Sequence, residues 1–254
     1  MASHPWILGP STWPTVRAAK YEVAILPWGA TEAHNTHLPY ATDTIQSEAV
    51  AIEAARLAWE EGAKVVVLPA IPYGVQTGQA DLPLCINVDP STQSLLLRDI
   101  ALSVAGSGVR KLVVLNGHGG NSFKQHIREL QGRVPLLIAE VDWYKVGDPK
   151  SQFAEPGDHA GELETSMIQH LAPELAEPLS KAGAGQARRH KVQAFRDGWA
   201  WTPRKWTDVT ADTGVGDPRA ATPAKGAAHF ANVTRQLAGF FVELAAADPT
   251  ALYE

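Results

Sequence analysis

The chain has 254 residues, of which 45% are hydrophobic, and its 22 Lys and Arg against 27 Asp and Glu give a net charge of −5. This length suits one large α/β domain with a full hydrophobic core, and the mild charge without a basic run argues against a nucleic-acid partner. The single cysteine, Cys85, excludes an intrachain disulfide framework. No apolar stretch approaches the ~20 residues of a membrane span, and no signal pattern opens the chain. We therefore expect a cytoplasmic protein with no membrane partner.

Short β-branched segments alternate along the chain with longer segments of helical periodicity. The predicted strands lie at residues 21–26, 64–68, 111–115 and 135–141. The predicted helices lie at residues 44–59, 91–105, 122–130, 162–171 and 221–246. Continuous apolar strands separated by helices are typical of a parallel sheet covered on both faces. The pattern therefore predicts the α/β class, as one three-layer α/β/α domain over residues 1–254 with a mostly parallel central sheet.

Residues 180–216 differ from this pattern. The segment begins with small residues, continues with a basic stretch at 188–191, and then contains Trp199, Trp201 and Trp206. Because it lacks a periodic apolar face, we interpret it as a long excursion from the domain rather than a second domain. Its tryptophans predict either a cap over a pocket, including a pocket of a neighbouring subunit, or packing between subunits.

The first cluster of chemically capable residues follows the first predicted strand. Within twelve residues it contains Glu32, His34, His37 and Asp43. Carboxylate oxygen combined with imidazole nitrogen suits Zn²⁺, Mn²⁺ or Fe²⁺, whereas Ca²⁺ and Mg²⁺ favour oxygen alone. The alternative is a polar surface loop.

The second cluster is the segment NGHGGN at residues 116–121, after the third predicted strand. It lacks the Lys-Ser/Thr pair of a phosphate-binding P-loop and the GxGxxG spacing of a dinucleotide fold. His118 lies at the apex of this glycine-rich turn, which favours a ligand role over that of a structural core histidine.

The third cluster opens the helix predicted near residue 160. His159 and Glu164 are close enough to face one pocket, and Glu162 is expected to point to solvent. The alternative for the acidic residues is a favourable interaction with the helix N-terminus. The remaining histidines lack acidic or histidine neighbours at ligand spacing and are expected to be structural or on the surface: His126, His170, His190 and His229.

Taken together, the three segments resemble the creatininase (creatinine amidohydrolase) family. Residues 29–43 read GATEAHNTHLPYATD, similar to the family pattern G-S/T-x-E-x-H-x-x-H-L-P-x-x-T-D, with Ala30 as a small departure. The NGHGGN segment, HAGELETS at 159–166 and the GDP…KG segment near residues 216–226 follow in the family's order. The resemblance covers roughly residues 20–245 and implies an α/β/α fold, a small-molecule substrate and a homo-oligomer, commonly a hexamer.

The resemblance also implies a centre of one or two divalent metal ions. By motif position, Glu32, Asp43 and His118 hold one ion, while His34 and a bridging Asp43 hold the second. Zinc is the favoured metal, with manganese and iron as alternatives.

The resemblance has one departure at this centre. In creatininase the second ion is also bound by a glutamate two residues after the histidine that corresponds to His118. This chain has Gly120 at that position, so Glu164 is expected to replace that ligand. His159 matches the family's substrate-contacting or proton-transferring histidine, and with Glu164 it forms the predicted catalytic pair. Gly119, Gly120 and Asp158 are expected to contact the substrate.

These residues predict a metal-dependent amidohydrolase that cleaves a C–N bond of a small non-peptide amide, most simply a cyclic one, through a metal-activated water. No Trp-Asp pair precedes His159, as it does in creatininase, so a substrate other than creatinine is expected. One alternative is a metal-dependent hydrolase, isomerase or lyase acting on a cyclic ketone or a carbohydrate-like carbonyl. Another is a non-catalytic metal-binding or assembly protein.

Overall fold

A four-stranded parallel sheet forms the centre of the molecule in the computed structural model, which describes residues 4–254. The strands are β1 (Val23–Trp28), β2 (Val65–Val67), β3 (Lys111–Asn116) and β4 (Leu137–Asp142). They lie in the order β2-β1-β3-β4, and every neighbouring pair is parallel. All four strands predicted from β-branched runs are therefore present, and β1 extends to Trp28, which pairs with Asn116.

Nine α-helices lie in the described part of the chain. They are α1 (Trp13–Ala19), α2 (Thr42–Glu60), α3 (Pro90–Gly106), α4 (Lys124–Leu130), α5 (Pro149–Gln152), α6 (Glu162–Leu171), α7 (Gln193–Arg196), α8 (Trp206–Val209) and α9 (Pro223–Ala246). The five predicted helices correspond to α2, α3, α4, α6 and α9. None of the helices within residues 4–254 combines the length and apolarity that crossing a bilayer requires.

Alternate residues of β1 face two separate hydrophobic cores. Val23 and Ile25 lie in the core formed with α2, α6 and α9. Ala24 and Leu26 lie in the core formed with α3 and α4. Because successive side chains of a strand point to opposite faces of the sheet, this division confirms the predicted three-layer α/β/α architecture.

The loops after β1 and β3 leave the sheet side by side. Trp28 and Asn116 are register partners at the ends of the two strands, and the amide of Gly117 donates a hydrogen bond to the carbonyl of Trp28 at 2.9 Å. The carboxyl ends of parallel strands are where ligands collect in open α/β sheets. This edge brings the first two sequence motifs together.

Residues 180–216 lie against this same edge. The segment contains only the two short helices α7 and α8, together with a 3₁₀ turn at its start. Trp206 is buried, while Trp199 and Trp201 are largely exposed.

Candidate metal centre

The first motif places three buried side chains beyond β1. Glu32 and His34 lie in the loop, and Asp43 lies in the first turn of α2. The loop passes close to the start of α2 at Gly29, where a Cβ atom would come within 2.6 Å of the Thr44 backbone nitrogen, so only glycine fits there.

The second motif brings His118 onto these carboxylates. Its Nδ1 lies 2.9 Å from Glu32 Oε1 and 3.0 Å from Asp43 Oδ2. Asp43 reaches in two directions, because its Oδ1 lies 2.9 Å from His34 Nε2. Asp43 therefore lies between His118 on one side and His34 on the other, while its role as a bridging ligand stays a prediction.

Three groups of side chains in the described residues could each hold a metal ion, because the ligand atoms within each group lie within 4.8 Å of one another. The groups are Glu32, Asp43 and His118; His34, Asp43 and Glu164; and Glu32, His34 and His159. The first two correspond to the two predicted ligand sets, including Glu164 in the second.

Each imidazole of the cluster contacts a backbone carbonyl on the side away from the carboxylates. A carbonyl can only accept, so that ring nitrogen carries the hydrogen and the other faces the cluster. The contacts are His34 Nδ1 to Glu32 O at 3.1 Å, His118 Nε2 to Val75 O at 3.0 Å and His159 Nε2 to Ala33 O at 2.7 Å. Metal-binding histidines are held in this way, since the outer hydrogen bond fixes the tautomer and the ring.

The buried charged groups of the cluster shift one another's pKa values. Burial lowers the pKa of an imidazole, but the Asp43 carboxylate outweighs it and raises the pKa of His34 to about 10. Burial is likewise outweighed at His118, where Glu32 and Asp43 hold the pKa well above its ordinary value. At Glu164 burial prevails and raises the pKa of the carboxyl. The cluster binds protons strongly where a divalent cation would compete with them.

The donor set fits a divalent transition metal. Asp43 Oδ2 is buried and, despite its proximity to His118, has no hydrogen bond of good geometry within residues 4–254. This oxygen, the Glu32 carboxylate and the His118 imidazole together offer the mixture of oxygen and nitrogen ligands that Zn²⁺, Mn²⁺ and Fe²⁺ prefer.

A model of the family described as "Creatininase: Creatinine amidohydrolase" matches residues 10–241. The chain belongs to the creatininase family. Curated relatives in this family carry different names. A mycofactocin precursor peptide peptidase from Mycobacterium ulcerans (strain Agy99) is 31% identical over 236 residues, 88% of this chain and 83% of the relative.

Two other relatives match over shorter stretches. A creatinine amidohydrolase from Pseudomonas putida is 30% identical over 177 residues, 61% of this chain and 66% of the relative. A 3-dehydro-scyllo-inosose hydrolase from Thermotoga maritima is 28% identical over 170 residues, 63% of this chain and 53% of the relative. Membership of the family therefore indicates a hydrolase, but the names of these relatives point to different substrates.

Solved structures of the creatininase family have the same fold. A protein from Bacteroides fragilis NCTC 9343, described provisionally as a creatinine amidohydrolase, superposes with a TM-score of 0.93 at 43% identity and covers 99% of this chain and 100% of its own. A creatininase structure named for manganese superposes with a TM-score of 0.77 at 23% identity, covering 95% of this chain and 99% of its own.

The structure gives a physical reason for the departure at Gly120. A Cβ atom on this residue would come within 2.1 Å of the Val75 carbonyl oxygen and 2.5 Å of His118 Nε2. The residue 75 loop occupies the space that a glutamate at this position would need. A second ligand set in this chain would therefore draw its carboxylate from elsewhere, and Glu164 lies within reach of His34 and Asp43.

A cavity of about 700 Å³ opens beside the cluster. Its lining includes Glu32, His118 and His159 and the three predicted substrate-contacting residues, which are Gly119, Gly120 and Asp158. Glu164 does not line it; its Oε2 accepts a hydrogen bond from the amide of Ala160. His159, but not Glu164, thus reaches the space where a substrate would lie.

Two other predictions at the motifs have different outcomes. Glu162 does not point to solvent: it is fully buried, forms an ion pair with Lys225 and accepts a hydrogen bond from the amide of Glu155. His37 is buried outside the metal groups, with its Nε2 2.9 Å from Thr165 Oγ1.

Gln79 is a site residue that sequence reasoning missed. Its Nε2 donates a hydrogen bond to Glu32 Oε2 at 2.5 Å, and it lines the cavity. The residue ends the short 3₁₀ helix Thr77–Gln79, a stretch without a recognisable motif, so only the fold places it beside Glu32.

Proposed function

We propose that this chain is a metal-dependent hydrolase that cleaves an amide C–N bond in the cavity beside Glu32, His118 and His159. The observation that carries the proposal is the convergence of two carboxylate and imidazole groups that share Asp43. A divalent ion bound there supplies Lewis acidity, which favours deprotonation of water near neutral pH and polarises a carbonyl.

His159 is the proposed proton carrier. Its Nε2 hydrogen is held by the Ala33 carbonyl at 2.7 Å, which leaves Nδ1 facing Glu32 Oε1 at 3.7 Å. In this orientation Nδ1 accepts a proton from the attacking water and returns it to the leaving nitrogen. Glu164 is proposed as a ligand with His34 and Asp43, since the cavity does not reach its carboxylate.

The substrate class has three candidates. The family resemblance favours a small cyclic amide as the substrate. Zinc is the proposed metal, with manganese or iron as alternatives. A linear peptide amide is favoured by the size of the cavity, about 700 Å³, and by the relatives named as peptidases. The alternative of a cyclic ketone stays open because one relative is named as a hydrolase of a ketone-bearing inosose.

Metal analysis combined with a turnover screen tests the proposal. The screen contains lactams, cyclic ureas, N-acyl amino acids, short peptides and cyclic ketones, with ¹⁸O-water to show label in a product carboxylate. We expect His118→Ala to lose its bound metal and at least 100-fold in kcat/KM, since it removes a proposed ligand. The exposed His170 gives the control, His170→Ala, which should retain both. Retention of metal and turnover by His118→Ala would overturn the proposal.

The homo-hexamer and the cytoplasmic location stay predictions of the sequence analysis.

A further inference from the structure

A second cavity, of about 510 Å³, adjoins the cavity of the metal centre. The two share Pro203 and Arg204 in their linings. The second cavity, here called the basic cleft, lies between the stretches 187–190 and 203–209 of the excursion. Backbone pairing holds the two stretches together, because the Arg188 amide donates to the Val209 carbonyl at 2.7 Å.

The walls of the basic cleft are strongly cationic. Its lining contains five lysines and arginines and a single acidic residue: Arg188, Arg189, Arg196, Arg204, Lys205 and Asp208. The chain as a whole carries a net charge of −5, so this concentration of positive charge runs against the overall balance. Like charges collected in a concave site repel one another and focus a field that attracts anions.

Three of these arginines have no carboxylate partner within residues 4–254. Arg196 donates to the carbonyls of His190 and Lys191 at 2.7 and 2.8 Å. Arg188 donates to the carbonyl of Asp208 at 3.4 Å, and Arg189 makes no side-chain hydrogen bond in the described residues. Bonds to neutral carbonyls fix a guanidinium without compensating its charge.

Arg204 links the basic cleft to the metal centre. Its Nη1 donates to Asp158 Oδ2 at 2.6 Å, and its guanidinium lies 4.5 Å from the ring centre of Trp206. Trp206 in turn contacts His159 edge to face, with ring centres 5.3 Å apart. A molecule that lies along Arg204 would therefore extend from the cleft to the proposed proton carrier.

We propose that the basic cleft binds an oxyanion, a carboxylate or phosphate group, carried by the substrate whose amide reaches the metal centre. Guanidinium groups match the geometry of both oxyanions through paired N–H donors. The inference rests on the proposed function for the position of the amide, while anion binding in the cleft is independent of it. A substrate of this kind is longer than a single small neutral ring.

Anion binding is measured first, with glutarate and inorganic phosphate as separate probes on the metal-loaded protein. The indole N–H signals of ¹⁵N-labelled protein report binding, since Trp206 lies under Arg204. The double variant Arg188→Gln/Arg189→Gln should raise the Kd at least tenfold. The exposed pair Arg128→Gln/Arg133→Gln, elsewhere on the surface, is charge-matched and should leave the Kd unchanged.

The outcomes separate the cleft from the metal centre. Retention of binding in His118→Ala supports the cleft as the site, and selectivity for one probe identifies the carboxylate or the phosphate. No binding of either probe, or equal weakening in both double variants, overturns the inference. Absence of amide hydrolysis with anion binding intact would instead remove only the proposed function.

A substrate comparison extends the test once a turned-over amide is found. Its free acid should exceed its neutral carboxamide in kcat/KM at least tenfold, and Arg188→Gln/Arg189→Gln should abolish that preference. A preference that persists in the variant contradicts the inference.

Discussion

Gln79 connects Glu32 of the proposed metal centre to Ala33 and Cys85. Its Nε2 holds Glu32 Oε2, while its Oε1 accepts from the Ala33 amide at 3.2 Å and lies 3.3 Å from Cys85 Sγ. The side-chain amide is thus fixed at both ends. Glu32 Oε1 is left to face His118, so Gln79 decides which carboxylate oxygen points into the cluster.

Gln79→Ala should weaken metal binding by about 10- to 100-fold, the usual effect of removing a residue that orients a metal ligand. Competition with a metal-sensitive chelator measures the affinity. Gln76→Ala is the matched control: Gln76 lines the same cavity, but its Nε2 donates to the Thr31 carbonyl. Equal affinities of Gln79→Ala and Gln76→Ala would show that Gln79 does not position Glu32.

The contrast between His34 and Gln79 shows how far the sequence predicts the site. His34, Asp43 and His118 belong to residue types and spacings that are typical of metal ligands, and the structure brings them together. Gln79 has a residue type without a specific signal, and its role depends on a contact across 47 positions of the chain. Contacts of this kind follow from the fold and not from local pattern.

The contact between α6 and α9 positions the third motif. Gly226 in the first turns of α9 lies against α6, where a Cβ atom would come within 1.9 Å of the Ser166 carbonyl oxygen. Because that atom belongs to the backbone, a larger residue must move one helix away from the other. Helix α6 carries Glu164, so the close approach bears on the metal centre as well as on stability.

Gly226→Ala should lower the free energy of unfolding by about 1–3 kcal/mol, the typical cost of overpacking, as measured by urea denaturation. Gly239→Ala provides the control in the same helix, because nothing lies within 4 Å of its Cβ position. Alanine is the better helix former by about 1 kcal/mol, so that variant should be as stable as the parent or more so. Opposite signs for the two changes are expected; destabilisation of similar size in both would contradict the packing argument.

The four strands and the five helices that pack on the sheet were predictable, whereas the short helices α1, α5, α7 and α8 were not. The run KLVVL predicts β3 because a continuous apolar run fits a strand covered on both faces, and helix α6 has the predicted bounds, Glu162–Leu171. Helices α7 and α8 have four residues each. Helices so short are not stable through local propensity, so tertiary contacts such as the Trp206 indole with the Thr213 carbonyl decide them.

The hydrophobic core that contains Phe153 also holds a titratable side chain, that of His229. His229 of α9 is fully buried, with its ring centre 5.1 Å from that of Phe153 and its Nδ1 3.2 Å from Gln152 Oε1. Its Nε2 has no partner among the described residues. Burial lowers the pKa of His229 to about 4, below its ordinary value of 6.5.

This shift makes global stability depend on pH in a defined direction. Between pH 6.5 and 4 the unfolded chain binds a proton at this residue that the folded chain does not bind, so stability falls as the pH falls. The full loss approaches about 3 kcal/mol at 1.36 kcal/mol for each pKa unit. Above pH 6.5 the residue is neutral in both states and contributes no dependence. The raised pKa of His34 has the opposite effect in a separate window: it makes the stability of the metal-free protein fall as the pH rises from 6.5 to about 10.

Urea unfolding at pH 7, 6 and 5 in wild type and His229→Gln measures this contribution. We expect the stability of the wild type to fall more steeply than that of His229→Gln, because glutamine has no proton to gain. His126→Gln, at a half-buried histidine outside this core, should keep most of the wild-type slope. Identical slopes in wild type and His229→Gln would mean that His229 is protonated equally in the folded and unfolded chains, and that the core around α9 admits its charge.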